Sequence, residues 1–215
     1  MRENRRKSKM QNELYENNKV TIAGRIVSEF SFIKELRGKK LYRVYLEVPR
    51  LSGQMDTLPV MVTDDLIDPD IGYPEITVTG QYRSYNLKDS VGKSHLILTI
   101  YAKEIRVGTP CDERNDIFLD GYICKEPSYR ETPLGREITD FLLAVNRPCG
   151  KSDYIPCICW GGTARFASGL TIGTRVRISG RVQSREYMKE LSRNKSVLRI
   201  AYEVSANQLK VLKEG

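Results

Sequence analysis

Along most of this chain, apolar and polar residues alternate with a period of two. Val176, Ile178, Gly180 and Val182 alternate with Arg177, Ser179, Arg181, Gln183, Arg185 and Tyr187. Upstream, Ile76, Val78, Gly80 and Tyr82 alternate with Thr77, Thr79, Gln81, Arg83 and Tyr85. Successive side chains of a strand point to opposite faces, so each run predicts a half-buried strand with an apolar inner face and a polar outer one. Similar runs cover Lys19–Val27, Leu41–Val48, Leu58–Val62 and Leu96–Ala102, and again Ile117–Ile123, Ile138–Val145, Ile155–Trp160 and Leu198–Val204. The only helix predicted is a short one around Thr163–Ser168.

The two sets of strands are one set written twice. Gly24 and Gly121, Gly38 and Gly135, Arg50 and Arg147, Gly53 and Gly150, Asp56 and Asp153, and Pro59 and Pro156 are all separated by 97 positions (121 − 24 = 156 − 59 = 97). Further on, the run from Gly80 to Ser84 matches the run from Gly180 to Ser184 at an offset of 100 (180 − 80). A period near 100 residues exceeds the ~20–50 of solenoid repeats, so the repeat predicts two small domains in tandem. The expected organisation is a polar basic tail over 1–17, a first domain over 18–107, a linker over 108–114 and a second domain over 115–215. The expected class is all-β. Five short strands, with at most one short helix after the third, match a five-stranded Greek-key barrel of the OB type, present twice; a five-stranded SH3-like barrel is the alternative.

Charge narrows the partners. Lys and Arg number 35 against 27 Asp and Glu, a net charge of +8. That excess favours a polyanion such as nucleic acid. Arg2, Arg5, Arg6, Lys7 and Lys9 make the first ten residues basic without an apolar run, which fits a solvated tail or an arm that touches phosphates, and not a secretory signal. No apolar run approaches the ~18 residues of a membrane span. The five cysteines are odd in number and contain no CxxC; Cys157 and Cys159 share one strand face, as small core residues do. These features imply a reduced, cytoplasmic protein with no metal site and no cofactor. Neither GxxxxGK[ST] nor GxGxxG occurs, and His95 has no nucleophile near it in sequence, so no enzyme is expected.

The chemistry-bearing residues lie on the outer strand faces. In Asp153–Trp160, parity sends Ile155, Cys157 and Cys159 inward and Tyr154, Pro156, Ile158 and Trp160 outward. The next strand adds Arg181, Gln183, Arg185 and Tyr187 to an outward face. Rings among cations and amides suit unpaired nucleic acid, because bases stack on the rings while cations follow the phosphates. The corresponding face of the first copy holds Arg43, Tyr45, Arg83 and Tyr85, and loop cations in the second copy include Arg147 and Lys151.

The second copy resembles the bacterial single-stranded DNA-binding proteins. The matching words are Pro127 to Gly135, Phe141 to Arg147, Tyr154 to Gly161 and Gly180 to Tyr187, and the resemblance runs over about 90 residues. The first copy shows the likeness only through the second. In that family, aromatics on strand three and at the end of the strand-four hairpin stack on bases, which implies that role for Tyr154, Trp160 and Tyr187. The full candidate set adds Arg181, Gln183, Arg185, Arg147, Lys151 and Arg130, with Arg43, Tyr45, Arg83 and Tyr85 in the first copy. The resemblance implies sequence-independent binding of single-stranded DNA in replication, recombination or repair, by a homodimer that assembles four OB folds. The chain ends Lys210 to Gly215 without the family's acidic tail, so recruitment of other proteins by that route is not expected. The rival readings are an OB-fold interaction module of a primosome-like restart complex and an RNA-binding OB protein.

Overall fold

The computed structural model describes residues 17–68, 75–88, 91–108, 115–192 and 195–212. Most of the expected tail and linker lie outside these residues.

The first copy contributes β1 (Asn18–Ile26), β2 (Ser31–Leu36), β3 (Lys39–Pro49), β4 (Met55–Thr63), β5 (Glu75–Lys88) and β6 (Ser94–Val107). The second contributes β7 (Asn115–Glu131), β8 (Glu137–Asn146), β9 (Ser152–Trp160), the helix α1 (Gly161–Ser168), β10 (Arg175–Ser192) and β11 (Lys195–Val211). Every predicted strand is present, most of them longer than predicted, though β1 stops at Ile26, one residue short of Val27, and α1 begins two residues before its predicted start.

Each copy closes on itself. In the second, β7 pairs with β8, β8 with β9, β9 with β11 in parallel through Cys157 and Val204, β11 with β10, and β10 back with β7. In the first, β1 pairs with β3, β3 with β4, β4 with β6 in parallel through Val60 and Ile100, β6 with β5, and β5 with β1. This is the OB order, a closed Greek-key barrel whose third and fifth strands are parallel. The first copy departs from five continuous strands. Its first strand is interrupted between Ile26 and Ser31, so β2 leaves the barrel as an arm of the β2–β3 hairpin. The second copy keeps the equivalent chain as one strand, β7, and absorbs the bend in irregularities between Ile123 and Ser128.

The two barrels are joined edge to edge. β1 and β7 run antiparallel with Val20 opposite Ile117. These two residues are repeat equivalents (117 − 20 = 97), so an approximate two-fold axis passes between them. The joint merges all eleven strands into one sheet, β10-β11-β9-β8-β7-β1-β5-β6-β4-β3-β2. The buried apolar residues of both copies form one continuous cluster.

Candidate nucleic-acid interface

Two buried carboxylates tie the copies together. Asp56 and Asp153 are repeat equivalents and both are fully buried. Asp153 accepts from Nε of Arg147 at 2.8 Å and from a second nitrogen of the same guanidinium. It also accepts from the backbone N–H of Ser84 at 2.6 Å and from Arg83 at 2.9 Å, both in the first copy. Arg147 in turn donates to the Ser84 carbonyl at 2.7 Å, and the Tyr154 N–H donates to the Ser84 hydroxyl at 2.7 Å. The mirror set repeats this. Arg50 holds Asp56, Asp56 accepts from the Ser184 N–H at 2.6 Å, and Arg50 donates to the Ser184 carbonyl at 2.8 Å. The Thr57 N–H takes the place of Tyr154, donating to the Ser184 hydroxyl at 3.2 Å. The hydrogen bonds from Asp56 and Asp153 hold Arg50 and Arg147 above the ordinary arginine pKa.

This arrangement corrects the sequence reading of two cations. Arg147 and Arg83 are interface residues, spent on Asp153, and not free phosphate ligands. A buried carboxylate requires cationic and N–H donors, and these were the nearest.

Beside Asp56 the tie opens into a groove of about 1070 Å³. The β3–β4 hairpin of the first copy forms one wall, with Arg50, Ser52, Gln54, Met55 and Thr57. The second copy supplies the rest: Arg130, Thr132, Arg136 and Ile138 from β7, β8 and their turn, Ile158 and Trp160 from β9, Arg181 and Gln183 to Glu186 from β10, and Ile200 and Glu203 from β11. Five arginines face two glutamates in that lining. The groove is therefore cationic, built from both copies, and carries one large ring on its wall.

Trp160 is 40% exposed although it closes a core strand. Its neighbours Cys159 and Cys157 point into the barrel and are buried, so parity leaves the indole outside. Burial pushes the Cys159 thiol up to about 12. Arg181 is half-buried beside Arg50, with only a long contact to the Gln183 amide oxygen at 3.4 Å. Burial, and then the Arg50 charge, push its pKa down. Arg130 reaches Asp140 at 2.8 Å. Arg185 lies 5.9 Å from the Tyr187 ring centroid and 3.7 Å from Glu203.

Two outward residues are less available than parity implied. Ile158 is 3% exposed, although it lies on the outward face of β9 and lines the groove. Gln183 is 5% exposed and donates to Glu203 at 2.7 Å, a partner on β11 that parity along β10 alone does not reveal.

The candidate residues divide between two places. Trp160, Arg181, Gln183, Arg185 and Arg130 line the groove. Tyr154, exposed like Trp160, sits at the opposite end of β9 against Ser84, on the side of Arg83 and Arg147. Lys151 is exposed in the turn before β9, and Tyr187 is exposed on the β10–β11 hairpin. In the first copy Arg43 stacks 5.7 Å from the Tyr45 ring, both half-buried, while Tyr85 is more exposed. Burial raises the Tyr85 pKa. Sequence reasoning missed Arg50 and Arg136 as groove residues. Arg50 was visible as a repeat marker, but its distance of 110 positions from Trp160 (160 − 50) hid that the two line one groove.

The structure is thus a double OB barrel whose shared groove sets one ring among cations. Residues 114–212 match the model of the single-strand binding protein family. That match lies on the second copy, which is similar to this family. The chain is 38% identical over 80 residues to single-stranded DNA-binding protein 3 of Listeria innocua, covering 34% of this chain and 50% of that protein. It is 34% identical over 86 residues to single-stranded DNA-binding protein 1 of Staphylococcus aureus, covering 37% of this chain and 52% of that one. The chain thus spans about half the length of the curated relatives it matches. The crystal structure of the wild-type single-stranded DNA binding protein from Thermus aquaticus superposes with a TM-score of 0.64 at 22% identity, over 92% of this chain and 94% of that one. That likeness extends the fold correspondence to both copies. Among the described residues no helix is long and apolar enough to cross a membrane.

Proposed function

We propose that this chain binds single-stranded DNA without sequence preference, in replication, recombination or repair. The observation that carries the reading is an exposed indole, Trp160, on the wall of a groove lined by Arg50, Arg130, Arg136, Arg181 and Arg185. A base stacks on the ring, and stacking is worth about 1–3 kcal/mol per base whatever the base. The guanidiniums displace counterions from the phosphates, so log K falls by about 0.7 per phosphate for each unit of log salt. The family assignment of residues 114–212 and the names of the relatives support this choice among polyanions. The groove holds and orients a strand and performs no chemistry on it. Two barrels per chain make a homodimer enough to assemble four OB folds.

The test is a titration with oligo-dT followed by the emission of Trp160, the only tryptophan. Quenching that salt reverses is the expected result. Absence of saturable binding would sink the reading. Competition by oligo-U that equals oligo-dT would redirect it to RNA.

A further inference from the structure

The approximate two-fold axis relates the Trp160 groove to a second surface, where the β8–β9 hairpin of the second copy stands against the first. The two are not chemically equal. Trp160 becomes Thr63 (160 − 97), which is buried and offers no ring. Arg181 and Gln183 become Gln81 and Arg83 (offset 100), the same two residue types in exchanged order. The exchange decides where the cation goes. Asp56 is held by Arg50, which leaves Arg181 without an ion pair among the described residues. Asp153 is held by Arg147 and by Arg83 as well, so the first copy's arginine is already neutralised. Two further groove cations are lost or tied up: Arg130 becomes Ile33, and Arg136 becomes Lys39, which is paired with Asp65.

Building on the function proposed above, we propose that each chain has one tight site for single-stranded DNA, the groove at Trp160, and that its mirror image around Tyr154, Tyr85 and Arg83 is a weak second site. A cation that must leave a carboxylate before meeting a phosphate gains little from the exchange. A site without the indole also loses a stacking platform. Both surfaces carry rings, so the expected gap of about tenfold in affinity comes chiefly from the cations that the groove leaves available and the mirror surface does not. The mirror site has exposed rings of its own, Tyr154 and Tyr85, where the groove has Thr57 and Arg185, and it has Lys151, so it is weakened and not abolished.

The experiment uses the full chain and an oligo-dT of about eight nucleotides, within the site size of one OB fold. Calorimetry at low salt counts sites, and Trp160 emission reports which one fills. Expected are one tight equivalent per chain that accounts for all the quenching, and a second equivalent at least about tenfold weaker that leaves emission unchanged. The double variant Gln81→Arg with Arg83→Gln gives the first copy the residue order of the second while leaving Arg147 on Asp153. It should tighten the second equivalent severalfold and leave the first as it was. Two equal equivalents in the unaltered chain would overturn the proposal, as would a folded double variant with no gain at the second site. Both results would leave single-stranded DNA binding standing, whereas no binding of any equivalent would remove the reading on which the proposal rests.

Discussion

The Asp153 carboxylate accepts a 2.6 Å hydrogen bond from the backbone N–H of Ser84, a residue of the other copy. The same carboxylate carries Arg147 from its own copy and Arg83 from across the joint. One buried group therefore satisfies two guanidiniums and one amide, and fixes how the barrels face each other.

Removing that group should be costly. Asp153→Ala strands two guanidiniums that are each about four-fifths buried, with side-chain exposures of 22% and 23%. Loss of one partner from such a buried pair destabilises by about 3–5 kcal/mol. Asp56→Ala strands only Arg50 and should cost less. Urea unfolding of both variants checks the order; equal or reversed effects would contradict the two-arginine arrangement.

Trp160→Ala tests the ring. It should weaken oligo-dT binding by about 1–3 kcal/mol. The indole is 40% exposed, so the unfolding midpoint should move far less than for a core truncation. Unchanged affinity would take β9 out of the site.

Gly180 and Gly80 sit at register shifts where β10 and β5 meet their neighbours. A Cβ at Gly180 would lie 2.0 Å from the Ser205 carbonyl oxygen, and one at Gly80 2.1 Å from that of Tyr101. Neither backbone can yield without opening the barrel. Gly180→Ala and Gly80→Ala should each lose at least the ~1–3 kcal/mol of an overpacked core, measured by thermal unfolding. A neutral result would mean the bulges relax more readily than their geometry implies.

Thiol chemistry should be selective. Cys149 is exposed in the β8–β9 turn, Cys124 is half-buried with its pKa raised by burial, and Cys157 and Cys159 are buried. The thiolate is the reactive form, and Cys159 is pushed up to about 12. At neutral pH, iodoacetamide should, among the four described cysteines, label Cys149 first and Cys124 slowly. It should reach Cys157 and Cys159 only in denaturant, as peptide mass mapping would show.

Binding should also report the groove's charge. Arg181→Gln removes a cation with no ion pair among the described residues and should shallow the salt slope by about one phosphate contact, roughly 0.7. Arg83→Gln removes one already paired to Asp153 and should change stability more than slope. The comparison is a salt titration of both variants against the parent chain.

Much of this was written in the alternation. The strands, the inward Cys157 and Cys159 and the outward Trp160 all follow from a period of two, because a strand has only two faces. The repeat told of two barrels, since equal patterns at equal spacing fold alike. The interrupted first strand was not legible: Val27 to Phe30 carries no strong breaker, and only the separate path of the β2–β3 hairpin shows the gap. Nor was the fate of Gln183, whose partner Glu203 comes from the neighbouring strand.

By itself, then, the order of residues determined two like barrels, the inside and outside of each strand, and an excess of cations for a polyanion. The tertiary structure alone decided which cations are free. Arg50, Arg83 and Arg147 read on the page like Arg181, yet three of them are committed to buried carboxylates and one is not. Arg50 and Arg147 reach Asp56 and Asp153 from six positions away in their own copies, whereas Arg83 meets Asp153 from 70 positions away across the joint, where burial makes an unpaired carboxylate too expensive to leave alone.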